Sequence, residues 1–414
     1  MKIFVFLIVT LSSGLFLTPG FSASWQTATS FHTPRVGASA VEFNQKIYLM
    51  GGKTTGNNIL NTVEVYDPQT GLWDETTVPD FNYARYNAAA VVFQGKIFLI
   101  GGSDGYNALD EVEVFDPVQN SWSEVHKLRK KRTGLSAVVF NNRIYVMGGI
   151  EYQYYYVEEI EWYDFLNDEW EKSIANLPQP RAAAFVAAYD EWLYFCGGEY
   201  FGAANDGFIA DTTFTWTPGI MLQTGRHYGG MAEVHHNLYM IGGETGSGVS
   251  NLVEIFNPYS GQIYPGVPLP LARSGIATAV LNDTIYVMGG WSVNHFQILD
   301  LVQYFAPDPV GIDDHWKTVS APRDYLLIQG YPNPFNGRVR FRVQVPRADN
   351  YRVSVYNLTG QEVAHLFSGY LSAGNHEYVW EAKTDSGDGV ASGIYIAAIK
   401  NSSQKAQFKV IYVR

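Results

Sequence analysis

The stretch Ile144-Tyr145-Val146-Met147-Gly148-Gly149 decides the fold, because this pattern of a hydrophobic run closed by two glycines occurs six times. The other five copies occupy residues 47–52, 97–102, 193–198, 238–243 and 285–290. Successive first glycines are 50, 47, 49, 45 and 47 residues apart, which is the spacing of a repeat architecture. The repeats fill most of the 414 residues, so the fold of one repeat largely determines the fold of the chain.

Each repeat carries further residues at fixed distances from its glycine pair. An arginine stands 16 residues before every first glycine: Arg35, Arg85, Arg132, Arg181, Arg226 and Arg273. After the glycines, a strand ends in an aromatic residue that is usually followed by Asp or Asn, as in Tyr66-Asp67. In three repeats a tryptophan follows that aromatic by seven residues: Trp73, Trp122 and Trp170. These positions divide a repeat into four short strands, a to d, with the glycines at the end of strand b.

A four-stranded unit of this kind cannot bury its apolar flank alone, so the units must stack, and a closed ring leaves only short edges. The combination of Arg, Gly-Gly, Tyr-Asp and Trp resembles the kelch repeat. The resemblance covers residues 24–323 and implies an all-β, six-bladed kelch β-propeller. Three repeats depart from the pattern at Phe214-Thr215-Trp216, Ile263-Tyr264 and Tyr304-Phe305, and there we expect altered outer strands.

Two tryptophans bear on how the ring closes. The predicted d-strand aromatics precede the next arginine by 9 to 12 residues: Trp73, Trp122, Trp170, Trp216 and Tyr264. Trp25 precedes Arg35 by 10 residues and so fits the same spacing. Trp316 comes 12 residues after Tyr304 and is out of phase with the repeat. We therefore expect the N-terminal segment to supply the d strand of the sixth blade.

The first 23 residues have the character of a signal peptide. Lys2 is followed by a short apolar run, then by Pro19 and Gly20 and by small residues around position 23. The run is short for a membrane span, and small residues follow where a signal peptidase cuts. The sequence predicts export with cleavage, and the alternative is a single membrane anchor.

The composition shifts at about residue 324. Residues 324–414 carry a net charge of +3, although the whole chain, with 28 Lys+Arg and 40 Asp+Glu, carries −12. Short alternating strands separated by turns predict a small immunoglobulin-like β-sandwich. The stretches 331–336, 353–363 and 391–395 resemble the type A C-terminal sorting domain of type IX secretion substrates. That resemblance implies passage through the periplasm to the outer surface, with the outer-membrane secretion machinery as a partner. The alternative is an ordinary accessory domain.

Composition and motifs exclude several classes of function. The acidic balance argues against a nucleic-acid partner, since affinity for phosphates rests on Lys and Arg. The single cysteine, Cys196, excludes an intramolecular disulfide, and its apolar surroundings favour a buried hydrophobe over a copper-radical centre. His235 and His236 are adjacent at the start of strand b, so we expect them to face opposite ways and not to chelate a metal. We expect no cofactor and no metal.

The residues with binding chemistry fall on one face of the predicted ring. Because propeller strands alternate in direction, the d–a and b–c loops open around the same mouth of the central channel. The candidate ligand-binding residues on this face are Tyr86, Asn87, Asp104, Tyr106, Glu151, Tyr154, Glu199, Tyr200, His227, Tyr228, Glu244, Trp291 and His295. Aromatic faces beside carboxylates suit a glycan, although tyrosines of this kind also pack loops against neighbouring blades. We expect the six arginines to be structural, each tying a blade to its neighbour through a carbonyl or a carboxylate.

Three functions are compatible with this pattern. The first is a secreted or cell-surface binding protein whose loop face takes a glycan or surface polymer, or another protein. The second is a carbohydrate-active enzyme resembling the kelch-type N-acetylneuraminate epimerases, with Glu199 or Glu244 and His227 as acid and base. The third is a protein–protein scaffold, which would present a wide aromatic patch without a pocket. An enzyme requires an acid and a base that converge across the channel mouth.

Overall fold

A computed structural model describes residues 24–258, 260–293, 297–307, 326–331, 335–345, 347–372, 374–402 and 404–413. The predicted signal peptide, Trp316 and the boundary near residue 324 lie outside these ranges. The described residues form β-strands, turns and one 3₁₀ turn at Thr55–Asn57. None of the helical structure in these ranges is long and apolar enough to cross a lipid bilayer.

The first 28 strands build the repeat region. In chain order they are β1 (Gln26–Ala28), β2 (Ser39–Phe43), β3 (Lys46–Met50), β4 (Val63–Asp67), β5 (Leu72–Asp74), β6 (Ala89–Phe93), β7 (Lys96–Ile100), β8 (Val112–Asp116), β9 (Ser121–Val125), β10 (Ser136–Phe140), β11 (Arg143–Met147), β12 (Glu159–Asp164), β13 (Glu169–Asn176), β14 (Phe185–Tyr189), β15 (Trp192–Cys196), β16 (Asp206–Ala210), β17 (Trp216–Met221), β18 (Gly230–Val234), β19 (Asn237–Ile241), β20 (Glu244–Thr245), β21 (Gly248–Val249), β22 (Val253–Asn257), β23 (Gln262–Pro265), β24 (Ala277–Leu281), β25 (Thr284–Met288), β26 (Trp291–Ser292), β27 (Gln297–Ile298) and β28 (Val302–Phe305).

These strands form a six-bladed β-propeller, as the repeat predicts. Blades one to four are the antiparallel sheets β2–β5, β6–β9, β10–β13 and β14–β17, each in sequence order. Blade five is β18-β19-β22-β23, and blade six is β24-β25-β28-β1. The first strands of neighbouring blades contact one another all the way round the ring. The hairpins β20/β21 and β26/β27 lie in the b–c loops of blades five and six.

The ring closes through the N-terminal strand, as predicted. β1 pairs antiparallel with β28, with Gln26 opposite Tyr304. The ring of Trp25 packs on Phe305 at 5.2 Å, and its indole N–H donates to the carbonyl of Val267 in the preceding blade at 2.8 Å. The tryptophans of blades one, two and three donate in the same way at 2.9–3.0 Å. The last blade therefore combines strands from both ends of the repeat region.

A closed circle of six backbone hydrogen bonds surrounds the channel. It joins the residues two positions after each arginine: Gly37, Asn87, Gly134, Ala183, Tyr228 and Gly275. Each N–H in the circle donates to the carbonyl of the equivalent residue in an adjacent blade, at 2.7–3.2 Å. All six residues have a φ between 49° and 66°, in the left-handed region. The circle fixes the radius of the channel mouth without using any side chain.

The six arginines are the structural links that the sequence predicts. Each is fully buried, and its side chain bonds the carbonyl of the first glycine 16 residues later. In blade two, Arg85 also meets the buried carboxylate of Glu113 at 2.6 Å. The main chain of Arg85 instead bonds Gly52 and Leu60 of blade one. Each arginine thus holds the preceding blade with its backbone and its own blade with its side chain.

The first glycine of each pair is required because the backbone of the next blade's arginine passes close to it. Gly51 has a φ of 61°, and a Cβ placed on it would lie 2.5 Å from the carbonyl oxygen of Arg85. That carbonyl accepts the N–H of Gly52 at 2.8 Å. A side chain at Gly51 would therefore push the next blade away, while glycine adopts this conformation without a steric penalty.

Strand register confirms the predicted d-strand aromatic of blade four and corrects that of blade five. Trp216 pairs with Ala210, so it holds the tryptophan position, and Phe214 fills the gap left by the small Ala210 by packing on Tyr145 at 4.8 Å. In blade five, Ile263 and not Tyr264 pairs with Phe256, and therefore occupies the tryptophan position. The prediction that Tyr264 is the d-strand aromatic was wrong by one residue, which places it on the other face of the strand.

The tail is a separate β-sandwich with its own core. Its strands are β29 (Leu327–Tyr331), β30 (Val339–Val345), β31 (Asp349–Asn357), β32 (Glu362–Leu371), β33 (Gly374–Trp380), β34 (Gly393–Lys400) and β35 (Lys405–Tyr412). They form the sheets β29-β30-β33 and β32-β31-β34-β35. Phe341, Val353, Val355 and Ile399 are fully buried in one cluster between them. This is the immunoglobulin-like sandwich that the alternating pattern predicts.

Candidate binding face at the mouth of the channel

Six pairs of equivalent residues frame the channel mouth. The residue after each arginine forms an antiparallel bridge with the residue after each glycine pair. The pairs are Val36 with Lys53, Tyr86 with Ser103, Thr133 with Ile150, Ala182 with Glu199, His227 with Glu244, and Ser274 with Trp291. The backbone is the same at all six places, but the chemistry differs at every one. Variation on a constant frame is typical of a surface whose side chains are free to serve binding.

A cavity of about 540 Å³ opens at this mouth among blades one, two, five and six. Five of the predicted residues line it, namely Tyr86, Asn87, Tyr228, Glu244 and Trp291. Lys53, a b–c loop residue of the predicted face, lines it as well. Sequence reasoning did not single out the remaining polar lining groups: Thr54, Thr55, Asn57, Ser274 and Gln297. Two aromatic walls with convergent polar groups are the usual composition of a small-ligand site.

Tyr228 links this cavity to the opposite side of the mouth. Its φ of 52° is strained for a bulky residue, and its hydroxyl lies 3.7 Å from the position that a Cβ on Gly134 would occupy. The side chain therefore reaches from blade five to blade three. Burial raises the pKa of Tyr228, and the charge of Glu199 raises it further, so the phenol stays protonated and can donate a hydrogen bond.

His227 lies within the field of two carboxylates. Burial lowers the pKa of His227, whereas Glu199 and Glu244 act to raise it. Its Nδ1 is buried and has no hydrogen-bond partner among the described residues. Burial raises the pKa of Tyr156, as does its hydrogen bond to Glu199. The imidazole of His227 is thus neutral, has a free ring nitrogen and lies between blades four and five.

An aromatic ridge projects from the b–c loops of blades three and four. It consists of Tyr152, Tyr154, Tyr155, Tyr200 and Phe201. Tyr154 is 76% exposed and Phe201 71%, and their ring centroids lie 6.4 Å apart with an interplanar angle of 27°. The buried Tyr156 packs against the ridge, and the centroid of its ring lies 5.3 Å from that of Tyr200 and 5.6 Å from that of Phe201. These side chains pack on one another and still present apolar faces to solvent.

The remaining predicted residues divide between the ridge and its surroundings. Glu151 lies half-buried at the base of the ridge, and its N–H bonds the carbonyl of Tyr155. The Asp104 carboxylate accepts the backbone N–H groups of Tyr106 and Asn107, so it shapes its own loop. Tyr106 at the tip of that loop is 95% exposed. His295 lies outside the described residues.

Three histidines bear on metal binding. In the described ranges, the one group of three ligating side chains within 4.8 Å of one another is His32, Glu64 and Glu75, and Glu64 is already paired with Arg35. His235 and His236 occupy the a–b turn with positive φ, which corrects the expectation that they begin strand b. His236 bonds the hydroxyl of Tyr189 at 2.7 Å.

Cys196 is a buried hydrophobe, as predicted. Its side chain is fully buried in β15, and burial raises the pKa of its thiol to about 12. The thiolate that a redox or metal function requires is therefore disfavoured.

Sequence reasoning did not predict the role of four buried glutamates. Glu64, Glu113, Glu161 and Glu254 each pair with the arginine of their own blade. Each stands two residues before the strand-c aromatic, so a Glu-x-aromatic pattern was available as a signal. Strand register places Phe208 and Gln303 at the same position in blades four and six.

Comparisons with known proteins agree with this architecture. Residues 21–131 and 126–290 match the KLHDC2/KLHL20/DRC7 Kelch-repeats domain, and residues 333–405 match the FlgD Ig-like domain. Kelch-like protein 23 of Mus musculus is 26% identical over 268 residues, which are 63% of this chain and 46% of that protein. Kelch-like protein terF of Aspergillus terreus is 26% identical over 68% of this chain and 66% of its own length. The chain thus spans about half the length of the first of these relatives and two thirds of the second. The solved structure of YjhT superposes with a TM-score of 0.59 at 17% identity, covering 68% of this chain and 97% of YjhT, which shows a shared fold.

Proposed function

This chain belongs to the kelch-repeat family, and on that premise we propose that it is an exported binding protein whose loop face takes a glycan. The observation that carries the proposal is the aromatic ridge beside an open polar cavity on one face. Flat aromatic faces match the apolar faces of sugar rings, and carboxylates and amides match the hydroxyls at their edges. The cavity volume of about 540 Å³ leaves room for one or two sugar rings.

The ridge and the cavity support a ligand longer than one sugar. Tyr228 lines the cavity, and the groups whose charges act on it include Glu199 and Tyr156 at the foot of the ridge. The two surfaces are therefore neighbours across Tyr228. A chain lying over the mouth stacks on Tyr154 and Phe201 at one end and enters the cavity at the other.

A glycan array with the chain from residue 24 onward tests this function. Tyr154→Ala combined with Phe201→Ala removes the most exposed faces of the ridge and is expected to lower affinity at least tenfold. The matched control is Val118→Ala combined with Leu166→Ala, since both residues are 93% exposed but lie in c–d turns at the other end of the blades. Absence of binding to every saccharide, together with tight binding of a protein partner, would replace the glycan with a protein ligand.

We also propose that the tail is the export address. Support comes from the order of its sorting-domain motifs and from the folded, basic sandwich that follows an acidic propeller. Deleting 324–414 is then expected to leave the product in the periplasm, while the intact chain reaches the cell surface. Fractionation with a periplasmic marker measures this, and normal surface display of the truncated chain would refute it.

A specific observation favours an enzyme as the second candidate. His227 combines a buried, unpartnered Nδ1 with two nearby carboxylates, which is the setting of a general base. NMR of N-acetylneuraminate anomers with the native chain and with His227→Gln tests this candidate. Faster interconversion that His227→Gln abolishes would make the protein an enzyme, and an unchanged spontaneous rate leaves the binding function.

A further inference from the structure

Lys53 differs from the residues at the five equivalent positions of the ring. Those positions hold Ser103, Ile150, Glu199, Glu244 and Trp291, so the mouth carries one cation at this level of the frame. Two backbone hydrogen bonds to Val36, of 2.9 and 3.0 Å, fix the main chain of Lys53. Its Nζ lies over the ring of Tyr86, 5.6 Å from the centroid, and both residues line the cavity.

The ammonium group of Lys53 has no carboxylate within ion-pair distance among the described residues. Five other lysines of the propeller do. In the three shortest pairs, Lys46 lies 3.0 Å from Asp67, Lys96 lies 2.9 Å from Asp116, and Lys127 lies 2.8 Å from Glu111. The side chains of those three lysines are 40–51% exposed, whereas Lys53 is half-buried at the cavity wall. A cation held against a π face and left without a counter-ion is suited to receive one from a ligand.

Glu244 carries the opposite charge in the same cavity. The structure gives its carboxylate no side-chain partner in the described ranges, and it lies in blade five while Lys53 lies in blade one. The two charges are therefore separated and do not neutralise each other. A ligand with an anionic group at one end and hydroxyl donors at the other would satisfy both.

We propose that the cavity is a subsite for a sugar bearing a carboxylate or a sulfate ester, with Lys53 binding the anionic group. Tyr86 and Trp291 form the aromatic walls, and Glu244 accepts hydrogen bonds from hydroxyl groups. This inference rests on the proposed function and names its substrate class as acidic oligosaccharides. The separated charges also fix the orientation of the ring, because the reversed sugar would place its anion against Glu244.

Isothermal titration calorimetry on the chain from residue 24 tests the subsite with three probes: a short oligogalacturonate, its carboxyl-reduced form and a sulfated oligogalactan. A charge-assisted bond predicts about tenfold or stronger preference for an anionic probe over the reduced form. The two anionic probes decide between carboxylate and sulfate. The preference is expected to weaken at high ionic strength.

Three variants assign the effect to the cavity. Lys53→Gln is expected to remove the preference, Lys53→Arg to retain it, and Glu244→Gln to increase it because a like charge is removed. Lys46→Gln is the matched control, since it removes a lysine from the same blade whose partner is Asp67. Correct folding of the variants is checked by their thermal transitions.

The outcomes separate this inference from the proposed function. Equal affinity for all three probes, lowered by the ridge variant, would overturn the Lys53 subsite and leave the glycan-binding function standing. An anionic preference that Lys53→Gln leaves unchanged would overturn it as well. Absence of binding to all three probes and to the wider array would refute the proposed function itself.

Discussion

Replacing Gln303 with glutamate is expected to stabilise the propeller, and replacing Pro270 in addition is expected to increase the gain. In blade six, the fully buried Arg273 meets the amide of Gln303 at 2.9 Å where four other blades have a carboxylate. Burial lowers the pKa of Arg273 to about 9, and its side-chain partner, the amide of Gln303, is neutral. A buried charge without its counter-ion is a large destabilising contribution.

The other blades show why blade six lacks the glutamate. The residue three positions before the arginine donates its backbone N–H to the glutamate in blades one, two, three and five, as Asn82 does to Glu113 at 2.6 Å. In blades four and six that residue is Pro178 or Pro270, and proline has no N–H. Where the donor is missing, the glutamate at this position is missing as well, and in blade four Arg181 pairs with Asp206 instead, at 3.1 Å. A glutamate at this position therefore depends on two donors.

The expected change in the free energy of unfolding depends on how many donors the new carboxylate has. The Arg273–Gln303 hydrogen bond already has one charged partner, so the gain from Gln303→Glu is the part of the added ion-pair attraction that exceeds the cost of burying the new carboxylate. Gln303→Glu is thus expected to add about 1 kcal/mol, or about 2–4 °C in melting temperature. Pro270→Asn alone gives the unfolded chain more conformational entropy, and it is therefore expected to lower the free energy of unfolding by about 0.4–1 kcal/mol. Combined with Gln303→Glu it supplies the second donor, which predicts a favourable coupling of about 1 kcal/mol.

Guanidinium unfolding of the four proteins of this cycle, followed by tryptophan fluorescence, measures the coupling as shifts in midpoint at constant slope. Glu113→Gln in blade two is the converse control and is expected to destabilise by about 2 kcal/mol or more, since Arg85 loses its counter-ion. A Gln303→Glu variant less stable than the parent would refute the charge argument. Strictly additive effects of the two substitutions would refute the role assigned to the proline.

Three further predictions concern the frame. Gly51→Ala is expected to cost about 2 kcal/mol or more because its Cβ would meet a carbonyl oxygen at 2.5 Å, whereas Gly71→Ala, which has a similar φ but open space, is expected to cost about 1 kcal/mol in chemical denaturation. Trp25→Ala is expected to destabilise the propeller by about 3–5 kcal/mol, as much as Trp73→Ala; a smaller loss for Trp25→Ala would mean that β1 does not close the ring. Cys196 is expected to resist thiol reagents at pH 8 until the propeller unfolds, since the pKa of its thiol is about 12; rapid labelling of the folded protein would contradict its burial.

The repeat signals in the sequence were sufficient for the architecture. Glycine and arginine at constant separation specify a local geometry that every blade must share, so the number of blades could be counted directly. The closure by Trp25 followed from the same spacing and is confirmed by its bond to Val267. These features depend on contacts within one repeat or between adjacent repeats.

The parts that the sequence did not reveal depend on strand register or on contacts across the ring. Assigning Ile263 rather than Tyr264 to the core needs the pairing with Phe256, and a shift of one residue inverts the choice. The cavity unites residues as distant in sequence as Lys53 and Trp291. The left-handed backbone of Tyr228 could not be foreseen, because tyrosine alone gives no reason to expect it.

Tyr228 carries backbone strain at the mouth of the channel. Three of the six positions in the backbone circle are glycine, which takes the left-handed conformation freely, and Asn87 tolerates it better than most residues. Tyr228 takes it at a cost of about 1–2 kcal/mol, which the hydrogen bonds on either side of it must hold in place. In return the chain obtains a protonated hydroxyl over the channel, between the cavity and the ridge. The buried arginines, the glycine pairs and the circle use none of the side chains that line the cavity, so the frame can carry this local strain. A strained aromatic between the cavity and the ridge fits the binding function that we propose for this face.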